Sequence, residues 1–205
     1  MKKVKIFIML MLLVLPALLT GCVEMATVYL LPDAEGTTRN WTPSSGLIHY
    51  RMVDDLIAFP DEDLTYVYTR RRLSEDDFNH QTSVLLTGAN ISNVRLISRC
   101  RKTVVTDTIA IDLGVKIGGM LFPSGVSMPI STSYTDYMWD WATCPASGLP
   151  WTKGDIDNLE SCVTSVFGMV GLNPEARCTQ QYFIVTYSFP GRIPRGVTVG
   201  LPHII

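Results

Sequence analysis

Five cysteines, at positions 22, 100, 144, 162 and 178, have the widest chemical choice of any residues in this 205-residue chain: metal ligation, thiol redox chemistry or cross-linking. A zinc site needs thiolates and imidazoles at short spacing. No Cys-x-x-Cys occurs, and His49, His80 and His203 are scattered, so neither a zinc site nor a thioredoxin-type pair is expected. Asp54, Asp55, Asp61 and Asp63, with Glu62 among them, are a candidate for structural Ca2+, which takes several oxygen ligands from irregular loops; the alternative is a solvated acidic edge loop. Tyr137, Trp139 and Trp141 share strand parity and, with Trp151, could stack on sugar rings, although such a stripe more often forms a core. No Gly-x-Ser-x-Gly, His-Glu-x-x-His, P-loop or dinucleotide fingerprint is present. The expectation is a protein that is not an enzyme, with no cofactor beyond that Ca2+.

These residues must be delivered to a compartment and held by elements, and the N-terminus addresses the first requirement. Lys2, Lys3 and Lys5 precede an apolar run from Ile6 to Leu19, the charged and hydrophobic parts of a secretory signal, and the run is short for a membrane span. Leu19-Thr20-Gly21-Cys22 resembles the lipobox of bacterial lipoprotein precursors. The resemblance implies cleavage before Cys22, lipidation of its thiol, acylation of its new amino group with a chain such as palmitate, and a membrane as partner. Val23 follows the cysteine in place of aspartate, which favours the outer membrane over the inner under enterobacterial-type sorting. Whether the body faces the periplasm or the surface stays open.

Removing residues 1–21 takes three of the 17 basic side chains and none of the 19 acids, so the formal charge moves from −2 to −5. A mildly acidic protein is a poor nucleic-acid binder, since that affinity rests on clustered cations. Arg70-Arg71-Arg72 is a local exception, read as a solvated turn offset by Glu75-Asp76-Asp77.

Residues 22–46 are rich in Thr, Pro, Gly and Ser and lack periodicity, which predicts a flexible tether. From residue 47 to 190 the pattern predicts one domain of short strands: 65–69, 83–87, 93–105, 109–119, 133–142, 163–170 and 178–189. Within 93–105, alternation assigns Val94, Leu96, Ser98 and Cys100 to one face and Arg95, Ile97, Arg99 and Arg101 to a face in water. With so little helix between strands, the expected fold class is all-β: a two-sheet antiparallel β-sandwich, jelly-roll-like, with a short helix near 153–160 and a C-terminal tail at 191–205.

Thr152-Lys153-Gly154-Asp155 has the form of an acidic capping box, with Trp151 and Ile156 placed as a hydrophobic staple. That gives these residues a structural task in starting the helix. With Cys22 committed to lipid, the remaining four cysteines in an exported chain suggest disulfides, and four allow three pairings. The favoured one joins Cys144 to Cys162, closing the loop and helix, and Cys100 to Cys178, joining the third predicted strand to the last.

The segments "VDDLIAFPDEDLTYVYT", "ISNVRLISRCRKT", "SYTDYMWDWATCPASGLPWTKGDIDNLESCVTSV" and "ARCTQQYFIVTYS" together resemble β-sandwich segments of phage and viral structural proteins and of some surface proteins. The likeness spans 52–188. Thr143-Cys144-Pro145 replaces that family's usual Asn-Pro opening, Ser147 its threonine, and a cysteine stands where glycine is common. The resemblance implies assembly, display or attachment, with self-association or envelope proteins as partners, and supplies no catalytic residues. A glycan or other surface ligand, bound by the aromatics near Trp139 to Trp151, is the alternative.

Overall fold

The computed structural model describes residues 25–105, 108–167 and 174–190. Its strands are β1 (Ala26–Leu30), β2 (Pro32–Arg39), β3 (Thr42–Pro43), β4 (Val67–Thr69), β5 (Glu75–His80), β6 (Asn90–Lys102), β7 (Ile109–Ile117), β8 (Met120–Pro123), β9 (Met128–Pro129), β10 (Thr135–Trp141), β11 (Leu159–Phe167) and β12 (Ala176–Ser188); one α-helix, α1 (Lys153–Asp157), precedes β11. Every pairing is antiparallel, and two sheets result. The first runs β10-β6-β12, and the far side of β12 is shared: β4 and then β3 line its N-terminal end, and β1 lines its C-terminal end. The second runs β2-β5-β11-β7-β8, with β9 also on β7. The expected all-β sandwich is the observed architecture.

Alternation explains the packing. Val94, Leu96, Ser98 and Cys100 of β6 and Phe183 and Val185 of β12 are fully buried between the sheets, opposed by Phe78, Ile111, Leu113, Val115 and Val163 from the second. Burying a side chain of this kind is worth about 1.5–3 kcal/mol, which gives the inner faces the energy to fix register.

The expected elements differ from the observed ones in four places. Within the expected tether of 22–46, the described residues are built into the sheets: β1 pairs with β12 and β2 with β5, and Trp41 is buried, its indole N–H donating to the Ser74 carbonyl at 3.0 Å. The sandwich therefore begins at Ala26 and not near residue 47. Residues 83–87 form a 3-10 turn at Val84–Leu86 in place of a strand. The helix ends at Asp157, because Leu159 and Glu160 already belong to β11. Finally β5, sequence EDDFNH, is an interior strand. The signal peptide, Cys22 and the 191–205 tail lie outside the described residues.

The capping box is formed. Thr152 Oγ1 accepts from the Asp155 N–H at 3.1 Å, and Asp155 Oδ2 accepts from the Thr152 N–H at 2.8 Å. Trp151 and Ile156 are both buried, and the Trp151 indole N–H donates to the Trp141 carbonyl at 2.9 Å, tying the helix entry to the end of β10.

Candidate ligand-binding surface

The aromatic stripe of β10 faces the core. Trp141 and Trp151 are buried, and Tyr137 and Trp139 are half-buried against the same cluster, opposite Ser98 and Leu96 of β6. Parity places Tyr137, Trp139 and Trp141 with the inward residues of β6, and Trp151 is buried at the helix entry, so the expected sugar platform of these four rings is not an exposed surface.

Asp54, Asp55, Asp61 and Asp63 do not converge on a cation position. Asp55 Oδ2 accepts from the Asp61 N–H at 2.8 Å, Asp61 accepts from the Thr65 N–H and hydroxyl, and Asp54 makes an isolated bridge with Gln180. Asp63 holds Arg101 and Arg177 at 2.8 and 3.1 Å, and Glu62 with Asp136 holds Arg99. The acidic loop thus lies over the outer face of the first sheet and covers the arginine stripe that was expected in water. Burial, reinforced by the nearby Asp61 carboxylate, pushes Asp55 up to about 6.

Carboxylates do gather on the outer face of the second sheet. Glu75 and Asp77 of β5, Lys116 of β7 and Cys162 of β11 meet beneath β2, where the Thr37 and Thr38 hydroxyls also reach Lys116. Asp77 and Cys162 are fully buried. The Lys116 ammonium bonds Asp77 and lies 2.5 Å from Glu75, so a protein cation already occupies the centre. Burial opposes the Lys116 charge, but its two carboxylate partners outweigh that and raise its pKa. This cluster joins β2 to the sheet.

All four described cysteines are thiols. Cys144 packs in the core cluster, whereas Cys162 faces the outer carboxylates, so they lie on opposite faces of the second sheet and the expected Cys144–Cys162 bridge is not assembled. Cys100 and Cys178 are direct register partners on β6 and β12, both fully buried, in the favoured pairing but unbridged.

The concave feature with ligand-type chemistry lies at the β3–β4 edge. Asn40, Thr42, Tyr68, Thr69, Arg70 and Arg71 line an open groove of about 300 Å3. Local hydrogen bonds fix its walls. Asn40 N–H donates to the Glu75 carbonyl, Trp41 N–H to Asp76 Oδ1, and Arg71 N–H to Thr69 Oγ1 at 3.1 Å. The turn after Arg71 is pinned at Leu73, whose φ of 53° is in the left-handed region and whose N–H donates to the Ser165 carbonyl at 2.8 Å. Ser165 Oγ–H in turn donates to the Arg71 carbonyl at 2.6 Å.

Charge in the groove is set by one carboxylate. Glu175 receives Arg70 and Arg177, and although burial works against its charge, those two guanidiniums lower its pKa. Arg70 thereby stands 5.7 Å over the Tyr68 ring. Arg71 has no ion-pair partner among the described residues and is exposed. The acids expected to offset the arginine run are engaged elsewhere: Glu75 and Asp77 with Lys116, and Asp76 with His49 at 3.0 Å. Sequence reading missed this groove because its six residues come from two separate segments, 40–42 and 68–71. The one available signal was the arginine triplet beside a Tyr-Val-Tyr strand.

No protein-family model matches the chain, and no curated protein does. Solved structures with a related arrangement include a family two carbohydrate esterase from Cellvibrio japonicus (7% identity, TM-score 0.34, covering 82% of this chain and 36% of that one). A CBM35 from Cellvibrio japonicus Abf62 gives 9% identity and TM-score 0.36, covering 80% of this chain and 98% of that one. A CBM36-1 domain of a multidomain xylanase from the hindgut metagenome of Trinervitermes trinervoides gives 10% and 0.33, covering 78% and 96%. The chain thus spans about a third of the length of the esterase, and nearly all of the two modules.

Proposed function

We propose that this chain is a non-catalytic, lipid-anchored β-sandwich of the bacterial cell envelope that binds an anionic glycan in the groove at the β3–β4 edge. The observation that carries the reading is one open groove combining the Tyr68 ring, the Asn40 amide, the Thr42 hydroxyl and an Arg71 guanidinium with no carboxylate partner among the described residues. Sugars are held by an apolar ring face plus a few convergent polar groups, and guanidinium matches a carboxylate bidentately. A uronate-bearing sugar supplies both. Anchoring through Cys22 is supported by the lipobox residues Leu19-Thr20-Gly21-Cys22 and the preceding basic and apolar segments.

Affinity electrophoresis of residues 23–205 through gels containing a polyuronate or a neutral β-glucan tests the ligand. The expected result is retardation by the polyuronate alone, weakened by salt and lost in Arg71→Glu and Tyr68→Ala at unchanged melting temperature. Equal mobility in the two gels overturns the reading.

A second reading, assembly by strand addition, is favoured by β10. Its seven residues pair with β6 on one side and with no described strand on the other. Sedimentation at increasing concentration separates the two: growth to oligomers with β10 amides newly protected from hydrogen exchange supports assembly, and a monomer throughout removes it.

A further inference from the structure

The strand topology gives the sandwich two chemically different ends. At one end β12 begins at Ala176, the register partner of Thr69 in the groove wall, and at the other Tyr187 pairs with Ala26, the first residue of β1. The eleven residue steps from Ala176 to Tyr187 span about 35 Å at ~3.3 Å per step. Chain entry and groove are therefore at opposite ends.

Around the chain entry, the connections carry almost no charge. No Asp, Glu, Lys or Arg occurs in 81–94, which leads into β6, in 117–123, which holds the β7–β8 hairpin, or in 141–152, which follows β10. Register places all three at this end. β6 starts beside the end of β12 (Asn90 with Ser188), Trp141 closes β10 opposite Val94, and Ile117 closes β7 opposite Leu159, where β11 begins. Apolar side chains project from them and from the entry: Val84 is 84% exposed, Leu149 64%, Met120 63% and Met25 50%. The charged exceptions are Glu24 just before β1, Asp33 at the start of β2, and α1, where Lys153 pairs with Asp157 and Asp155 caps the helix. The groove end carries Arg70, Arg71, Lys102, Glu175 and Arg177. Other exposed apolar residues lie apart from this end: Leu56, Phe59 and Leu64 sit among Asp54, Asp55, Asp61, Glu62 and Asp63, Leu73 and Val105 follow the basic residues of the groove end, and Leu47 lies in the β3–β4 connection.

We infer that this neutral, apolar-tipped end, marked by Met25, Val84, Met120 and Leu149, is a membrane-contact surface that rests on the lipid bilayer and turns the groove away from it. The inference rests on lipidation at Cys22 and deepens the anchored reading. Cys22 is four residues before Ala26. At ~3.5 Å per extended residue the acylated cysteine and the start of β1 are separated by at most about 14 Å, too little chain to hold the body off the surface. Uncharged loops lose little by leaving bulk water for the headgroup region, whereas the guanidiniums of the groove end would lose much.

The mature lipoprotein in phosphatidylcholine vesicles tests this, with single cysteines introduced at Val84, Met120, Leu149 and Arg71 and labelled with an environment-sensitive fluorophore. The native described thiols are buried and stay unlabelled in the folded protein. Vesicle flotation is measured first, then quenching by a lipid-borne spin label and by aqueous iodide. The expected result is flotation, with labels at 84, 120 and 149 blue-shifted and several-fold more quenched from the lipid than the label at 71. Flotation with all four labels equally open to iodide overturns the seating and leaves the anchor standing. Failure to float, with no palmitate incorporated at Cys22, overturns the anchor and the seating together.

Discussion

Two buried histidines act on stability in opposite directions. His49 Nδ1 is 3.0 Å from Asp76 Oδ2, and that hydrogen bond, against the cost of burial, raises its pKa above 6.5. A raised histidine contributes stability that is complete below pH 6.5 and is lost as pH rises through the folded value. Glu35 adds to the effect and Arg39 opposes it. His80 is the reverse. Its Nδ1–H donates to the Leu30 carbonyl at 3.0 Å, Nε2 accepts from the Ser161 hydroxyl at 2.6 Å, and Phe183 packs on the ring, so burial lowers its pKa to about 4. Below pH 6.5 the unfolded chain takes up a proton that the folded chain refuses until pH 4, a loss on the order of 3 kcal/mol. Urea titrations across pH are expected to give greatest stability near 6.5, with the acid limb flattened in His80→Gln and the alkaline limb flattened in His49→Gln. A second residue-scale prediction concerns thiols. Burial raises the Cys100 pKa, which keeps it as an unreactive thiol once folded. A bridge to Cys178 must therefore form by exchange with an acceptor disulfide during export, the two thiols giving up two electrons and two protons. Non-reducing peptide mapping of exported protein is expected to find Cys100 joined to Cys178 and Cys144 and Cys162 free; a peptide linking Cys144 to Cys162 would contradict the placement of these side chains on opposite sheet faces.

At the scale of elements, the close approach of β2 to β5 decides whether the Lys116 cluster is closed. A Cβ at Gly36 would stand 2.4 Å from the Asp77 carbonyl carbon, so Gly36→Ala must push β2 away and open Glu75, Asp77 and Lys116 to water. The expected cost is about 2 kcal/mol, read as a lower urea midpoint, with the buried Cys162 thiol becoming reactive. The same strand pair marks the limit of what the residues alone disclose. β6, β7 and β10 were legible because apolar residues recur at every second position, β12 because of its aromatic and β-branched Tyr-Phe-Ile-Val run, and α1 because Thr152 and Asp155 form a local device. β5 was not: EDDFNH reads as a charged turn, and distant partners, Lys116 and the Thr38 N–H for Asp77, His49 and the Trp41 N–H for Asp76, make these carboxylates tolerable inside a sheet. β2 failed for a like reason, since PDAEGTTR has turn composition and acquires strand geometry from its partner. The β10 aromatics were ambiguous between core and platform until the register with Leu96 and Val94 placed them inward. The groove was invisible because no single segment contains it.

For the whole molecule, the decisive element is the N-terminal ribbon of β1 and β2, which crosses from one sheet to the other within a single turn at Leu31. β1 covers the C-terminal half of β12 from Phe183 to Tyr187, and β2 covers the outer edge of β5. Without the ribbon, a row of β12 backbone groups loses its partners, and Leu30 and Trp41 leave the core. Each large side chain lost from the core costs about 2–5 kcal/mol, so these two alone remove an amount comparable with the roughly 5–15 kcal/mol that holds a domain together. A chain beginning at Leu47, the start expected for a tethered domain, is therefore predicted not to fold. A chain beginning at Val23 is predicted to unfold in one cooperative transition, with circular dichroism and tryptophan fluorescence coinciding. If the shorter chain melts cooperatively with native spectra, the ribbon is an accessory. In that case the short link to Cys22 no longer fixes how the sandwich sits on the membrane.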